Sequence, residues 1–248
     1  MVLDLVVNSN SDVARISHIK FMHVKYSPEF AGHVGGKTRP WLTETGSVRQ
    51  TGIQSRRVLN RFHPASSLGR TMSKPRLHRF LASDGRCFDV AIDHGFFGEN
   101  PFLTGIEDAR AAIDTVVAAS PDAIQLSLGQ APLLQDRPGP KPALVLRVDI
   151  ANVYGSDLPE RLFSHLVDGA VEHAVRLDAA ALCINLFALE GAPEVHEACI
   201  RNVTALVREA EFAGMPVMVE PLAMRRSGGG YGVNGDPGAI RPLVRQAV

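Results

Sequence analysis

The sequence lacks long apolar runs and has only three cysteines among its 248 residues. No stretch of about 18 apolar residues occurs, so no membrane-spanning helix is expected. The N-terminus lacks the charged, apolar and small-residue segments of a secretory signal, which predicts a cytoplasmic protein. Cys87, Cys183 and Cys199 stand in apolar surroundings without metal-ligand spacing, and we expect reduced, buried thiols. Neither a metal nor a cofactor is indicated.

Lysine is also scarce, and the distribution of charge divides the chain. After Met72 only Lys74 and Lys141 occur. Residues 1–71 carry ten Lys and Arg against four Asp and Glu, whereas residues 72–248 carry sixteen against twenty-two. The formal net charge of zero therefore conceals a balance of +6 followed by one of −6. This shift predicts an irregular basic extension over 1–71 and an organised domain over 72–248.

The basic extension has two interpretations. Stretches such as Ser55-Arg56-Arg57 would suit an arm for targeting or for binding nucleic-acid phosphates. The alternative, which we favour, is a poorly ordered extension, with Met72 as the natural beginning of the protein. A nucleic-acid partner is therefore not expected.

From Arg86 onward, short apolar runs alternate with amphipathic patterns. Strands are predicted at residues 87–92, 123–127, 142–148, 179–187 and 217–220, and helices around 106–116, 162–174, 195–210 and 238–248. Thr104 and Glu107 form a capping-box pattern before the first helix, and Gly214 with Pro216 ends the helix over 195–210. The alternation predicts a parallel sheet covered by helices. Three of the four intervals between strand starts are 36 to 38 residues, close to the 35 or so per unit of a (β/α)8 TIM barrel, and five units fit, so the barrel is expected to be incomplete.

Polar side chains interrupt the apolar runs at the predicted strand ends, where TIM barrels carry their active sites. They are Asp93, His94, Ser127, Asp149, Asn185 and Glu220. We expect Asp93, His94, Asp149 and Glu220 to be catalytic, and Ser127 and Asn185 to bind substrate. Helix capping is the alternative role for such residues. His94 is equally compatible with orienting Asp93 and with transferring a proton itself.

A basic, glycine-rich stretch follows the fifth strand. Arg225 and Arg226 precede Ser227-Gly228-Gly229-Gly230, which predicts a loop. Guanidinium groups and backbone N–H groups could bind a substrate phosphate there. A solvated, flexible lid is the alternative.

Several stretches resemble one enzyme superfamily. They are Ala91-Ile92-Asp93-His94-Gly95, Pro121-Asp122-Ala123-Ile124-Gln125, Ala143-Leu144-Val145-Leu146-Arg147-Val148-Asp149 and Gly214-Met215-Pro216-Val217-Met218-Val219-Glu220-Pro221-Leu222. From about Arg79 to Val248 the sequence resembles the DeoC/FbaB aldolase superfamily. The nearest resemblance is to archaeal-type class I fructose-bisphosphate aldolases and their bacterial relatives.

The resemblance implies Schiff-base chemistry on a phosphorylated sugar or a small aldehyde or ketone. Asp93 matches the family aspartate at the end of strand 1, which positions or protonates the intermediate. The family tyrosine after strand 5 would fall near Leu222, so Glu220 is the candidate substitute as acid or base. The family lysine lies on strand 6, which the five predicted units do not include.

No lysine of this sequence falls at a predicted strand end. Lys141 precedes the third strand, at the opposite rim from the expected site, and Lys20, Lys25, Lys37 and Lys74 precede the first. We therefore expect a truncated chain that is inactive by itself. Its open sheet edges predict self-association, hence a homo-oligomer.

Two other functions remain open. A metal-dependent TIM-barrel enzyme could use Asp93, His94, Asp149 and Glu220 as ligands. A non-catalytic module could bind a partner or nucleic acid through the basic extension.

Overall fold

The computed structural model describes residues 5–7, 20–21, 75–81, 87–94, 106–155 and 157–247. The chain forms two units, Met1–Ser27 together with Met72–Val248, and Pro28–Thr71. The second unit, with the basic stretch Ser55-Arg56-Arg57, lies outside the described residues. The division of the chain at Met72 into extension and domain stays a prediction.

The first unit is built on a curled, mainly parallel sheet. Its strands are β1 (Leu5–Val7), β2 (Lys20–Phe21), β3 (Phe88–Ala91), β4 (Ala123–Ser127), β5 (Ala143–Arg147), β8 (Ala181–Leu189), β9 (Val217–Ser227) and β10 (Gly230–Val233). A separate pair is formed by β6 (Asp149–Ala151) and β7 (Ser164–Leu166). The five predicted strands β3, β4, β5, β8 and β9 pair in that order, all parallel, which confirms the part-barrel fold.

Helices follow the strands along the chain. They are α1 (Ala109–Ala119), α2 (Ala131–Gln135), α3 (Ala170–Arg176), α4 (Pro193–Phe212) and α5 (Pro237–Ala247), and a 3-10 turn spans Pro75–Arg79. None of the described helices is long and apolar enough to cross a membrane. The predicted end of the fourth strand's helix is confirmed, since Gly214 has φ 59° just beyond α4.

The start of α1 differs from its prediction in the residue that caps it. Thr104, the predicted cap, lies outside the described residues. Asp108 caps the helix instead, because its Oδ1 accepts a hydrogen bond from the Ala111 N–H at 3.0 Å.

Both edges of the five-stranded run are paired. β1 runs antiparallel to β9, with Val7 opposite Val217, and β2 runs parallel to β3, with Phe21 opposite Asp89. Short strands from the first 21 residues thus extend the five-stranded run at both ends, and the sheet stays open, with β1 and β2 as its edge strands. Formation of a homo-oligomer stays a prediction.

The two faces of the sheet differ in chemistry, since alternate side chains of a strand point to opposite faces. Outward residues such as Val90, Ile124 and Leu146 pack in the main apolar core. The inner face has a smaller apolar cluster around Phe80, followed by polar residues toward the strand ends. All three cysteines are free and buried, and burial raises the pKa of the Cys87 and Cys199 thiols.

The helix predicted over 162–174 was wrong in its first half. Ser164–Leu166 is β7, which pairs antiparallel with β6 so that Asp149 lies opposite Leu166. The helical spacing of Leu162, Leu166, Ala170 and Ala174 arises because all four pack against the main core, although only the last two are in α3. Tertiary packing, not helical periodicity, accounts for the pattern.

The predicted glycine-rich loop is the end of a hairpin. β9 continues to Ser227, so Arg225 and Arg226 are strand residues, and β10 returns along it after a turn at Gly228 and Gly229. Both turn glycines have positive φ, of 57° and 85°, which other residues adopt at a cost. Arg226 lies over the Tyr231 ring at 5.3 Å.

Replacing Tyr231 with Phe is expected to lower the free energy of unfolding by about 1 kcal/mol. The Tyr231 hydroxyl donates to the Glu190 backbone carbonyl at 2.9 Å and ties the hairpin to the end of β8. Urea unfolding of the variant measures the change. A loss above about 3 kcal/mol would contradict this, since the ring and its packing remain.

Candidate active site

Arg147, at the end of β5, is the centre of a buried polar cluster on the inner face. Its Nε donates to Asp93 Oδ2 at 2.6 Å and its Nη1 to Asp149 Oδ1 at 3.3 Å. Its Nη2 donates to Glu220 Oε2. One guanidinium thus binds a carboxylate just beyond β3, one at the start of β6 and one within β9, and its side chain is only 5% exposed. Buried charges of this kind require such pairing.

Gln125, on β4, joins the same carboxylates a second time. Its Nε2 donates to Asp93 Oδ2 at 3.0 Å and to Glu220 Oε1 at 3.3 Å. The register of the sheet produces this meeting, because Gln125 lies opposite Ala91, two positions before Asp93. Asp93 and Glu220 are therefore fixed at one place by two donors that are themselves buried.

Asp149 and Asn185 form the other side of the cluster. Asp149 Oδ2 accepts hydrogen bonds from the Asn185 Nδ2 at 2.9 Å and from the Asn185 backbone N–H at 3.2 Å. Asn185 lies opposite Glu220 in the pairing of β8 with β9. The predicted residues Asp93, Asp149, Asn185 and Glu220 are thus brought together, although their catalytic and binding roles stay predictions.

Asp93 is held in its ionised form. Burial alone would raise its pKa, but the charge of Arg147, the nearby His94 and the hydrogen bonds from Arg147 and Gln125 outweigh burial. The pKa of Asp93 therefore lies below its ordinary value. An ionised carboxylate in fixed geometry can accept a hydrogen bond from a substrate hydroxyl or stabilise a positive charge.

The pKa values of Asp149 and Asp89 are shifted in the opposite direction from that of Asp93. Burial raises the pKa of Asp149, in spite of Arg147 and the two hydrogen bonds from Asn185. Burial, with Glu220 and Asp93 nearby, raises the pKa of Asp89 well above its ordinary value, and Arg147 opposes this only in part. Carboxyl groups with opposite shifts at one site are typical of acid–base enzymes, although structural networks also produce them.

Ser127 lies in a local network apart from the carboxylates. Its backbone N–H and its hydroxyl both donate to Gln130 Oε1, at 2.9 and 2.8 Å. Gln130 Nε2 in turn donates to the Ile92 carbonyl at 3.0 Å. These bonds fix the turn before α2 against the end of β3, so the structure gives Ser127 a local structural role beside its predicted substrate-binding role.

His94 and the two hairpin arginines lie at different distances from the cluster. His94 is half-buried and close enough to Asp93 to lower its pKa. Arg225 is exposed and lies five residues beyond Glu220 on β9, or about 17 Å at the rise of an extended strand. Arg226 is exposed as well. The placement of these arginines in a loop was wrong, because β9 continues through them, while their binding of phosphate stays a prediction.

Three members of the cluster were missed from the sequence: Asp89, Gln125 and Arg147. Each stands inside an apolar run, not at its end. The available signal was position along the chain, since Asp89 of β3 and Asp93 just beyond the strand are four residues apart, an even spacing that puts both on one face of an extended segment. An arginine within Ala143–Arg147, an otherwise apolar strand, also demands buried acidic partners.

Three of the four predicted metal ligands bind Arg147 instead. Within the described part of the chain, no group of three or more His, Cys, Asp or Glu residues is arranged to hold a metal ion. Asp93, Asp149 and Glu220 all direct an oxygen to Arg147. The metal-dependent alternative therefore gains no support from these residues.

Comparison with known proteins identifies the family. Residues 87–246 match the DeoC/LacD family aldolase model. A Corynebacterium glutamicum protein of known structure is 19% identical, with a TM-score of 0.51 over 72% of this chain and 64% of that one. A Schiff-base-forming fructose-1,6-bisphosphate aldolase is 20% identical, with a TM-score of 0.48 over 70% of this chain and 66% of that one. No curated protein matches the sequence.

The residues that match the family model include the candidate active site. The matched residues include every described strand from β3 onward and all members of the Arg147 cluster. The chain spans less than two thirds of the length of the two solved structures, at 66% and 64%. The likeness to the Corynebacterium glutamicum protein supports the barrel fold already seen in the sheet. On its sequence match, this chain belongs to the DeoC/LacD family of aldolases.

Proposed function

We propose that residues 1–248 carry the acid–base part of an aldolase site that breaks or forms a carbon–carbon bond of a phosphorylated sugar. We propose also that these residues do not themselves supply the amine for a Schiff base. The observation that carries the first proposal is the pair Asp93 and Glu220, buried together and fixed by Arg147 and Gln125.

The charge of the cluster indicates which end of a substrate it would receive. Asp93, Asp149 and Glu220 bind a single guanidinium, so the carboxyl groups outnumber the cation that binds them. A phosphate would be repelled there, whereas sugar hydroxyls and a cationic iminium carbon would be stabilised. The reacting carbons would therefore lie at the cluster, and the phosphate would lie away from it.

In cleavage, a carboxylate removes the proton of the hydroxyl next to the breaking bond, and the bond electrons pass to the iminium. Glu220 is the candidate base. Each of its oxygens accepts one hydrogen bond within the cluster, from Gln125 or Arg147, and a carboxylate can accept about four. Asp93, whose pKa is lowered, would position the hydroxyl and stabilise the iminium charge.

The lysines support the second proposal. The Lys141 amine donates to the carbonyls of Gln135 at 2.6 Å and Arg137 at 3.2 Å, and it lies before β5, at the rim opposite Asp149. Lys20 lies in β2, in register with Phe88 of β3. Lys25, Lys37 and Lys74 lie outside the described residues.

Borohydride reduction in the presence of dihydroxyacetone phosphate is therefore expected to leave every lysine of this chain unlabelled. A Schiff base reduced in place would add the substrate carbon skeleton to one lysine, which peptide mass spectrometry detects. A complete class I aldolase treated alongside serves as the positive control. Labelling of Lys141 or of any other lysine in this chain would contradict the second proposal.

The acid–base part can be tested by adding the missing amine. With methylamine in solution, the chain is expected to cleave fructose 1,6-bisphosphate faster than methylamine alone does. Glu220→Gln should remove about 10²-fold of that acceleration, since it keeps the shape but loses the base. Glu190→Gln is the matched control, because Glu190 binds the Arg226 N–H outside the cluster. No acceleration by the wild-type chain would contradict the first proposal.

Localisation in the cytoplasm and assembly into a homo-oligomer remain predictions from the sequence.

A further inference from the structure

The polar side chains of the Arg147 cluster are buried, although an active site must admit its substrate. Asn185 is 3% exposed and Glu220 is 6% exposed. The next inner-face row toward the strand ends is Phe187 on β8 and Leu222 on β9, which are in register and lie two residues beyond Asn185 and Glu220. These two side chains are buried as well. A substrate can therefore reach the cluster only when the residues that cover this row move away.

The connection between β6 and β7 contacts this row. Twelve residues join the two strands. Among them, Tyr154 meets the Phe187 ring edge to face, with the ring centroids 5.9 Å apart and the ring planes at 74°. Connections of about this length are often lids or binding loops. Residues 152–155 and 157–163 are the described part of this connection and are called the β6–β7 loop below.

The β6–β7 loop is closed on itself by Asn152. The Asn152 Nδ2 donates to the Arg161 carbonyl at 3.0 Å, and the Asn152 Oδ1 accepts from the Phe163 N–H at 2.7 Å. All three residues belong to the loop, so these two bonds do not fasten it to the sheet. A loop whose ends are held together by its own hydrogen bonds can move as one body without breaking them.

Apolar packing holds the β6–β7 loop against the barrel. Four of its side chains pack against the main core: Val153, Tyr154, Leu158 and Leu162. Only Val153 is fully buried, and the other three are half-buried. Residues 159–161 are exposed. Segments with few buried side chains open at a lower free energy than the strands on which they rest.

We propose that the β6–β7 loop is a lid over the Arg147 cluster, with Tyr154 against Phe187 as its latch. The lid moves away as one body to admit substrate and closes again over the row of Phe187 and Leu222. Closure excludes water, which strengthens the interactions of the buried carboxylates with a bound substrate. The admission of substrate rests on the proposed function, whereas the opening of the lid requires no turnover.

Labelling of a thiol placed in this row measures the opening. Leu222→Cys puts a thiol beside Phe187, and iodoacetamide reaches it only while the lid is open. Peptide mass spectrometry follows this thiol and the buried Cys87 thiol in the same molecule. Adding Tyr154→Ala is expected to speed labelling of the introduced thiol about tenfold, because the ring contact is lost. The Cys87 rate should stay the same, since the sheet remains folded.

Two further variants serve as controls. Tyr154→Phe keeps the ring, so labelling of the introduced thiol should stay within about threefold of its rate with Tyr154 present. Phe212→Ala removes a ring that is 89% exposed at the end of α4, and it should leave both rates unchanged.

Unchanged labelling after Tyr154→Ala would overturn the proposal. A second measurement needs no change at Tyr154 and decides the matter where Tyr154→Ala also speeds labelling of Cys87. In the chain with Leu222→Cys alone, each rate is divided by its value in the urea-unfolded chain. The introduced thiol should then react at least about tenfold faster than Cys87, because local opening is more frequent than unfolding. Equal values would mean that only unfolding exposes it, and no lid exists.

Labelling and cleavage of fructose 1,6-bisphosphate are measured separately, so the two hypotheses can fail independently. A lid that opens as expected in a chain that accelerates no cleavage would support this inference and contradict the proposed function. Accelerated cleavage in a chain whose introduced thiol is as protected as Cys87 would do the reverse.

Discussion

Arg147→Met is expected to lower the free energy of unfolding by about 3–5 kcal/mol at pH 7. Methionine resembles arginine in length but donates no hydrogen bond, so it leaves Asp93, Asp149 and Glu220 buried without the guanidinium that all three bind. Burial of uncompensated carboxylates is among the most destabilising changes known for a single substitution. Urea unfolding monitored by circular dichroism measures the loss.

Arg79→Met is the matched control for this prediction. Arg79 also binds an aspartate with two hydrogen bonds, at 3.0 and 2.8 Å, but the Asp178 side chain is 73% exposed. An exposed ion pair contributes about 0–1 kcal/mol, so Arg79→Met should change stability by no more than that. Equal losses in the two variants would show that the Arg147 cluster does not behave as a buried charge network.

The pH dependence of the Arg147→Met loss separates charge from packing. Lowering the pH protonates the carboxylates and removes the need for a cation, so the loss should shrink toward pH 4. A loss that arises only from altered packing would stay constant with pH. Arg147→Lys should fall between wild type and Arg147→Met, because one ammonium keeps the charge but cannot reproduce the guanidinium's bonds to three carboxylates.

The parallel strands were predictable because each is a short apolar run with a helix pattern behind it. All five were found, and β4 was predicted residue for residue. The errors occur where tertiary contacts overrule local pattern. β7 has helical apolar spacing but pairs with β6, and β9 extends seven residues beyond Glu220 because β10 returns beside it. Strand pairing across a turn is a long-range property that local periodicity does not contain.

The site was predictable in part for a similar reason. In a parallel barrel, side chains that follow the strands must meet at one rim, which identified Asp93, Asp149, Asn185 and Glu220. Which residues bind each other depends on register, and register is not visible in one sequence. Asn185 lies opposite Glu220 but donates to Asp149. Gln125 was missed because it lies within β4, and Arg147 was missed because the third strand was predicted to continue to Val148, which put the arginine inside the apolar run.

The stability of this protein is expected to fall as the pH rises from about 4 toward neutrality, because of Asp89. The folded-state pKa of Asp89 lies well above the ordinary value of 3.8, so between those two values the native state binds more protons than the unfolded state. Stability then decreases with pH by up to about 1.4 kcal/mol per unit. Asp149, whose pKa is also raised, acts in the same direction. Asp93 acts in the opposite direction, but only as the pH falls below 3.8, since its folded-state pKa is lowered.

Asp89→Asn isolates this effect, since asparagine has nearly the same shape and does not titrate. Its amide can donate to Gln125 Oε1, which has no partner among the described residues of the native protein. The stability of the variant relative to wild type should therefore increase as the pH rises from 4 to 7, by up to about 1.4 kcal/mol per unit. Asp178→Asn, which changes an exposed carboxylate, should leave the slope as it is. Urea unfolding at pH 4, 5, 6 and 7 gives both slopes. If they are equal, Asp89 is ionised in the native state and a cation or donor already binds it.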